Sequence, residues 1–235
     1  MFKQLLQLFS ILLFGQLALA QQSPIPEGAF YHKDQEGEHS LILQDGYFMH
    51  AVYLVDQKSF KYSEGGTYQV KGDALVQRLE FSTRAPETVG KERNFQLDID
   101  KKGMTWKHAG VSTQWQRVDD GNTGLAGNWR ITGRKEGDSL RSIQPGPRKT
   151  LKILSGTRFQ WAAINTATHE FFGTGGGTYT FTNGTYTEYI EFFSRDASRV
   201  GASLSFKGEV MGKDWHHSGT SSTGKPIYEI WSREK

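Results

Sequence analysis

A chain of 235 residues, with 13% aromatic and 23% charged residues and no cysteine, is long enough for two cores that hold together by burial alone. The missing thiols exclude cysteine nucleophiles, cysteine zinc sites, iron–sulfur clusters and a lipidated N-terminal cysteine. The formal net charge is +3, and Lys and Arg are scattered among Asp and Glu without a basic stripe, so nucleic acid is not an expected partner.

The N-terminus carries Lys3, an apolar run from Leu5 to Leu17, and Ala18-Leu19-Ala20. This pattern predicts a signal peptide over residues 1–20, cut after Ala20, and a secreted or periplasmic protein. The apolar run is too short for a membrane-spanning helix, and no later stretch reaches eighteen apolar residues. Residues 21–27, with Pro24 and Pro26, read as an N-terminal arm.

From residue 28 onward the chain states one design twice. Residues 41–99 align without a gap on residues 152–210, a shift of 111, with fifteen of fifty-nine positions identical. Gly65-Gly66-Thr67-Tyr68 falls on Gly176-Gly177-Thr178-Tyr179, Glu80-Phe81 on Glu191-Phe192, and Val89-Gly90 on Val200-Gly201. The expected organisation is copy one over 28–118, a polar glycine-rich linker over 119–126, and copy two over 127–235.

Within each copy the pattern is strand after strand. Period-two alternation rich in Thr, Tyr, Phe, Val and Ile runs through Trp129 to Thr132, Arg158 to Trp161, Thr178 to Thr182, Thr185 to Phe193, Ser203 to Val210, Trp215 to Ser218 and Ile227 to Ser232. Asn183-Gly184 between two such runs is a two-residue hairpin signal. No amphipathic helix of three turns is found outside the N-terminus. The prediction is all-β: two tandem small antiparallel up-and-down barrels of about eight strands each, every strand shorter than ten residues. The loop from Gly133 to Lys149 is longer than its counterpart in copy one and reads either as a cover over a barrel mouth or as an exposed spacer.

The order Gly176-Gly177-Thr178-Tyr179, Tyr186 to Glu191, Val200-Gly201, Trp215 to Gly219 and Glu229-Ile230-Trp231 resembles the lipocalin-like (calycin-type) domain of unknown function found in exported bacterial proteins. The resemblance covers most of copy two and, more weakly, copy one, which departs at Leu75-Val76-Gln77. It implies an eight-stranded barrel and supplies no activity or catalytic residues.

Alternation sorts side chains into an inner and an outer row. Trp106 and His108 are expected inside copy one, with Trp215 and His217 inside copy two and His216 outside. Phe48 and Phe159 carry His50 and Trp161 inward, and Phe30 carries His32. Leu79, Phe81, Ile190 and Phe192 set one inner row, which brings in Gln77 and Glu188; Tyr68 and Tyr179 join through Val70 and Phe181. The candidate ligand-binding residues are therefore Tyr179, Glu188, His217, Trp161, Trp215 and Phe192 in copy two. In copy one they are Tyr68, Gln77, His50, His108 and Trp106. A buried glutamate needs a donor, and His217 or Tyr179 is the natural candidate for Glu188. His32, His50 and His108 could suit zinc or haem if they converged, but they lie on different strands without a short chelating spacing, and no cofactor or metal is expected. Gly173 to Gly177 lacks the following helix of a phosphate loop and reads as a bulge or bent strand. Glu80 and Glu191, each four residues before an arginine, read as repeated ion pairs on the outer row.

The expected function is non-catalytic binding of a small apolar or amphipathic molecule in a barrel cavity. One alternative is an isomerase, dehydratase or hydrolase that uses Glu188 and His217 as acid and base; the other is an interaction module with filled barrels. A cavity above about 300 Å³ separates binding from the filled module. The sequence leaves the oligomeric state open.

Overall fold

The computed structural model describes residues 26–221 and 223–234, so the expected signal peptide and most of the N-terminal arm lie outside the described residues. Eight antiparallel strands close the first barrel: β1 (Gly28–Lys33), β2 (Glu38–Gln44), β3 (Tyr47–Leu54), β4 (Ser59–Lys71), β5 (Ala74–Ser82), β6 (Glu92–Ile99), β7 (Gly103–His108) and β8 (Val111–Asp119). They pair in sequence order, and β8 returns to β1.

The second barrel repeats this with β9 (Gly127–Glu136), β11 (Arg148–Leu154), β12 (Arg158–Asn165), β13 (Glu170–Thr182), β14 (Thr185–Phe193), β15 (Ser203–Met211), β16 (Asp214–Thr220) and β17 (Pro226–Arg233). Pairing of β17 with β9 closes it. A short extra strand, β10 (Ser139–Ser142), pairs with the end of β9. Residues 134–142 thus form an exposed hairpin extension of β9. The fold is all-β, as the alternation predicts, but β4 and β13 run to 13 residues each, longer than expected.

Local chemistry explains the turns. Asp45-Gly46 and Asn183-Gly184 have paired positive φ values of 51° and 72°, and of 51° and 74°, as two-residue turns between twisted strands require. Each long strand crosses its neighbour through a bulge. One lies between Gly65 and Gly66 and another between Gly176 and Gly177, at positions related by the 111-residue shift. Glycine is required there because a Cβ on Gly66 would lie 2.0 Å from the Arg78 carbonyl oxygen, and one on Gly177 2.0 Å from that of Tyr189.

The bulges overturn one inner-row assignment. Leu79 and Ile190 point into the barrels, but the extra residue at Glu80 and Glu191 turns Phe81 and Phe192 outward. There they form the contact between the barrels. Phe81 stacks on Phe171 (ring centroids 5.8 Å apart), and Phe192 stacks on Phe60 (6.3 Å). Phe60 and Phe171 are themselves equivalent in the repeat, so the two stacks are reciprocal. Ile42, Met49 and Ala51 of one barrel and Leu151, Ile153, Ala162 and Ile164 of the other fill the layer.

The two glutamates complete the seam. Glu80 accepts from Tyr47 of its own barrel and from Lys149 of the other; Glu191 accepts from Arg158 of its own barrel and from Tyr53 of the other. The expected Glu80–Arg84 and Glu191–Arg195 pairs are not formed; Arg84 binds Glu36 instead. The interface is an approximate two-fold contact of equivalent surfaces, the geometry of a homodimer within one chain.

Candidate functional site

The open end of the second barrel holds a cavity of about 620 Å³. The apolar part of its wall comes from Ile131, Trp161, Ile190, Phe193, Leu204, Phe206 and Trp231. These residues come from neighbouring strands and face inward by alternation, so the cavity is the unfilled part of the barrel's own core.

One ion pair and one histidine–carboxylate pair lie in this cup. Lys152 Nζ donates to Glu188 Oε1 at 2.7 Å, and both side chains are buried. The Tyr186 hydroxyl donates to the same oxygen at 3.0 Å. The ammonium sits 5.0–5.8 Å from the ring centroids of Phe159, Tyr186, Trp215 and Trp231, so π faces surround the cation as well as the carboxylate. Trp215 belongs beneath this pair: it is fully buried against Trp129 and Tyr186.

The second pair is His217 and Glu229, with Nδ1 3.4 Å from Oε2. Neither ring nitrogen of His217 makes a hydrogen bond among the described residues. Burial pushes the imidazole below the usual histidine range, against the pull of the Glu229 carboxylate, so the ring stays neutral near pH 7. Burial pushes Glu229 upward, but the His217 contact and the Lys152 charge outweigh it and hold the carboxyl below its ordinary value. Glu229 also accepts from Trp231 Nε1 at 3.1 Å. At the mouth, Arg134, Arg195 and Arg199 line the opening.

Several expectations need correction. Glu188 and His217 share the cavity, but the partners of Glu188 are Lys152 and Tyr186, so the acid–base pair of the enzyme reading is not assembled. Tyr179 faces inward but reaches away from the cavity, donating to the Ser155 carbonyl at 2.6 Å. Phe192 lies in the barrel–barrel interface, for the bulge reason given above. Trp161 does line the cavity, and His216 does face outward, bound to the Tyr228 hydroxyl at 2.7 Å.

In the first barrel, Trp106 and Tyr68 are core residues, the latter 3.5 Å from the Pro26 carbonyl. Gln77 is fully buried and accepts from Arg93 at 3.1 Å. His108 keeps the parity of Trp106 but ends its strand, so it is exposed at the rim, bonded to the Asn94 carbonyl, and remote in role from His50. The histidines that do gather are His32, His39 and His50, around Trp115.

Sequence reasoning missed Lys152, Tyr186, Glu229 and His39. Each had a signal. Lys152 shares its row with Leu154 and replaces Leu41 of copy one, Tyr186 replaces Leu75, Glu229 shares a row with Trp231, and His39 shares one with Leu41 and Leu43. Strands β2 and β11 obscured this because both of their faces are buried, one on the lumen and one on the interface.

No family model and no curated protein matches the chain. Among solved structures, a lipocalin-like protein from Bacteroides uniformis aligns over 47% of this chain and 98% of its own, at 12% identity and a TM-score of 0.34. An uncharacterized protein from Bacteroides eggerthii aligns over 46% and 98%, at 10% identity and a TM-score of 0.33. Independently of either, the strand order and closure of this chain make each half an eight-stranded antiparallel up-and-down barrel.

Proposed function

We propose that the protein is an exported, non-catalytic carrier that binds one small amphipathic molecule in the second barrel. The observation that supports this is the 620 Å³ cavity, whose apolar wall is interrupted by Lys152, Glu188, His217 and Glu229 and rimmed by arginines, a size and a mixed lining suited to a small amphipathic ligand. The apolar body would lie against Trp161, Ile190, Leu204 and Phe206. A hydrogen-bonding group would meet His217, whose ring nitrogens are otherwise unsatisfied. An acidic group would suit Arg195 at the mouth, beside the Trp161 ring.

Titration with 1-anilinonaphthalene-8-sulfonate, an anionic amphiphile that fluoresces in apolar surroundings, tests the site. Saturable binding is expected, with His217→Ala weakening it by about tenfold, the worth of one buried hydrogen bond, and Glu188→Gln, which frees the Lys152 ammonium of its counter-charge, tightening it for this anionic probe. Binding unchanged in both variants removes the site from the second barrel. Native mass spectrometry of protein from its own host then identifies the natural occupant.

A further inference from the structure

The wall of the second barrel is split on one side, and the matching side of the first barrel is not. In the first barrel β1 pairs with β2 along its whole length, from Gly28–Leu43 to Lys33–Glu38. The equivalent strands β9 and β11 pair from Gly127–Leu154 only as far as Arg130–Leu151 and then part. Beyond that point β9 gives the same edge to β10, from Gly133–Ser142 to Glu136–Ser139, because β17 holds its other edge. Arg148, Lys149 and Thr150 of β11 are left paired with β12 alone.

A cleft of about 580 Å³ lies at this split. It is lined from both faces of the wall. Ile131 and Thr150 belong to the lumen rows of Trp129 and Lys152, whereas Arg130 and Lys149 belong to the outer rows, where they meet Glu234 and the seam residue Glu80. Ile131, Arg134 and Thr150 line the lumen cavity as well, so the two spaces adjoin at the split. Its closure is light. Arg130 reaches from β9 to the Gly146 carbonyl at 2.8 Å, and all four residues of β10 are exposed. Three of the cations in the cleft are matched, Arg130 by Glu234, Lys149 by Glu80 and Arg134 by Glu136. Arg148 makes no ion pair among the described residues; its guanidinium lies 4.5 Å over the Phe172 ring.

We propose that this split is a side entrance to the second lumen, through which an anionic amphiphile passes between β9 and β11. The inference rests on the carrier reading above and adds the route to it. Arg148, exposed and without a counter-charge, draws the acidic group to the cleft. The apolar body then slides between Ile131 and Thr150 to reach Trp161 and Leu204. The β10 hairpin is the edge that moves, with the Arg130–Gly146 hydrogen bond as its latch.

The absence of native cysteine allows a clean test. Ile131→Cys/Thr150→Cys places the chain's only two thiols on the rung after the last paired one, where a disulfide ties the strands together. Stopped-flow association of 1-anilinonaphthalene-8-sulfonate is measured on the oxidised and the reduced form of this one variant. Oxidation should slow association by at least tenfold with the final amplitude kept, and reductant should restore the rate. In a separate variant, Arg148→Glu should slow association by roughly three- to tenfold at low ionic strength, with the difference lost near 1 M salt. Arg78→Ala, an exposed arginine of the first barrel, should associate as the parent does. Equal rates in the oxidised and reduced forms, or an amplitude lost on oxidation with the rate unchanged, overturn the side entrance while leaving the carrier reading intact. An Arg148→Glu rate equal to the parent's overturns the role of Arg148. A parent that binds no probe at all brings down the carrier reading, and the entrance with it.

Discussion

The Lys152–Glu188 pair offers the most direct test of how the second lumen is held open. The ions are 2.7 Å apart, both buried, and their counterparts in the first barrel are the uncharged Leu41 and Gln77. Lys152→Leu leaves Glu188 charged, buried and supported only by Tyr186. Stranding one partner of a buried pair costs about 3–5 kcal/mol. For a chain of this size, that is a fall in Tm of roughly 6–20 °C. Glu188→Gln should cost less, because the aromatic rings around the ammonium remain. The double variant Lys152→Leu/Glu188→Gln rebuilds the first barrel's own combination and should lie within ~1 kcal/mol of the parent, since replacing a whole buried pair is often neutral. Urea denaturation followed by tryptophan fluorescence gives all four corners of the cycle. A double variant as unstable as the sum of the single ones would refute the argument that the pair matters as a pair.

Three further outcomes follow from the same geometry. Because burial holds His217 below its ordinary 6.5 in the folded chain, the unfolded chain takes the proton first. Stability should be full above about pH 6.5 and decline as the pH drops below it, and His217→Gln should flatten that decline in pH-dependent melts. Glu229, also held below its ordinary value, adds a second loss only in the more acidic range beneath 4.5. Phe81→Ala and Phe192→Ala remove equivalent halves of the interface and should each cost about 3–5 kcal/mol, with calorimetry resolving the barrels into separate transitions. Two variants of very unequal cost would contradict the two-fold contact. Gly177→Ala places its Cβ 2.0 Å from the Tyr189 carbonyl oxygen and should fail to fold, whereas Gly146→Ala meets nothing within 4 Å and should melt within ~0.5 kcal/mol of the parent.

Much of the architecture was legible because strand alternation is a local property. The rows through Phe48 and His50, through Trp215 and His217, and through Gln77 and Glu188 all point where parity puts them. Parity failed where geometry inserted a residue: one bulge beside Glu80 or Glu191 reverses everything after it, and Phe81 and Phe192 leave the lumen. It also failed at strand ends, where His108 keeps its row but runs out of barrel to be inside. The partners of Glu188 were hidden for a different reason. Lys152 lies next to Ile153 in a strand buried on both faces, so apolar neighbours gave no outward row against which to read it.

The reciprocal seam between the barrels also bears on how freely their interiors can differ. In a true symmetric dimer every substitution appears twice, so a lysine in one lumen forces a lysine in the other. Joining the copies end to end lifts that constraint while leaving the shared surface intact. One lumen can then carry Lys152, Tyr186 and Glu188 and stay hollow, while its sibling carries leucines, a glutamine and a row of histidines. Specialisation of one half costs the other nothing, provided the phenylalanine stacks and the two seam glutamates are left alone.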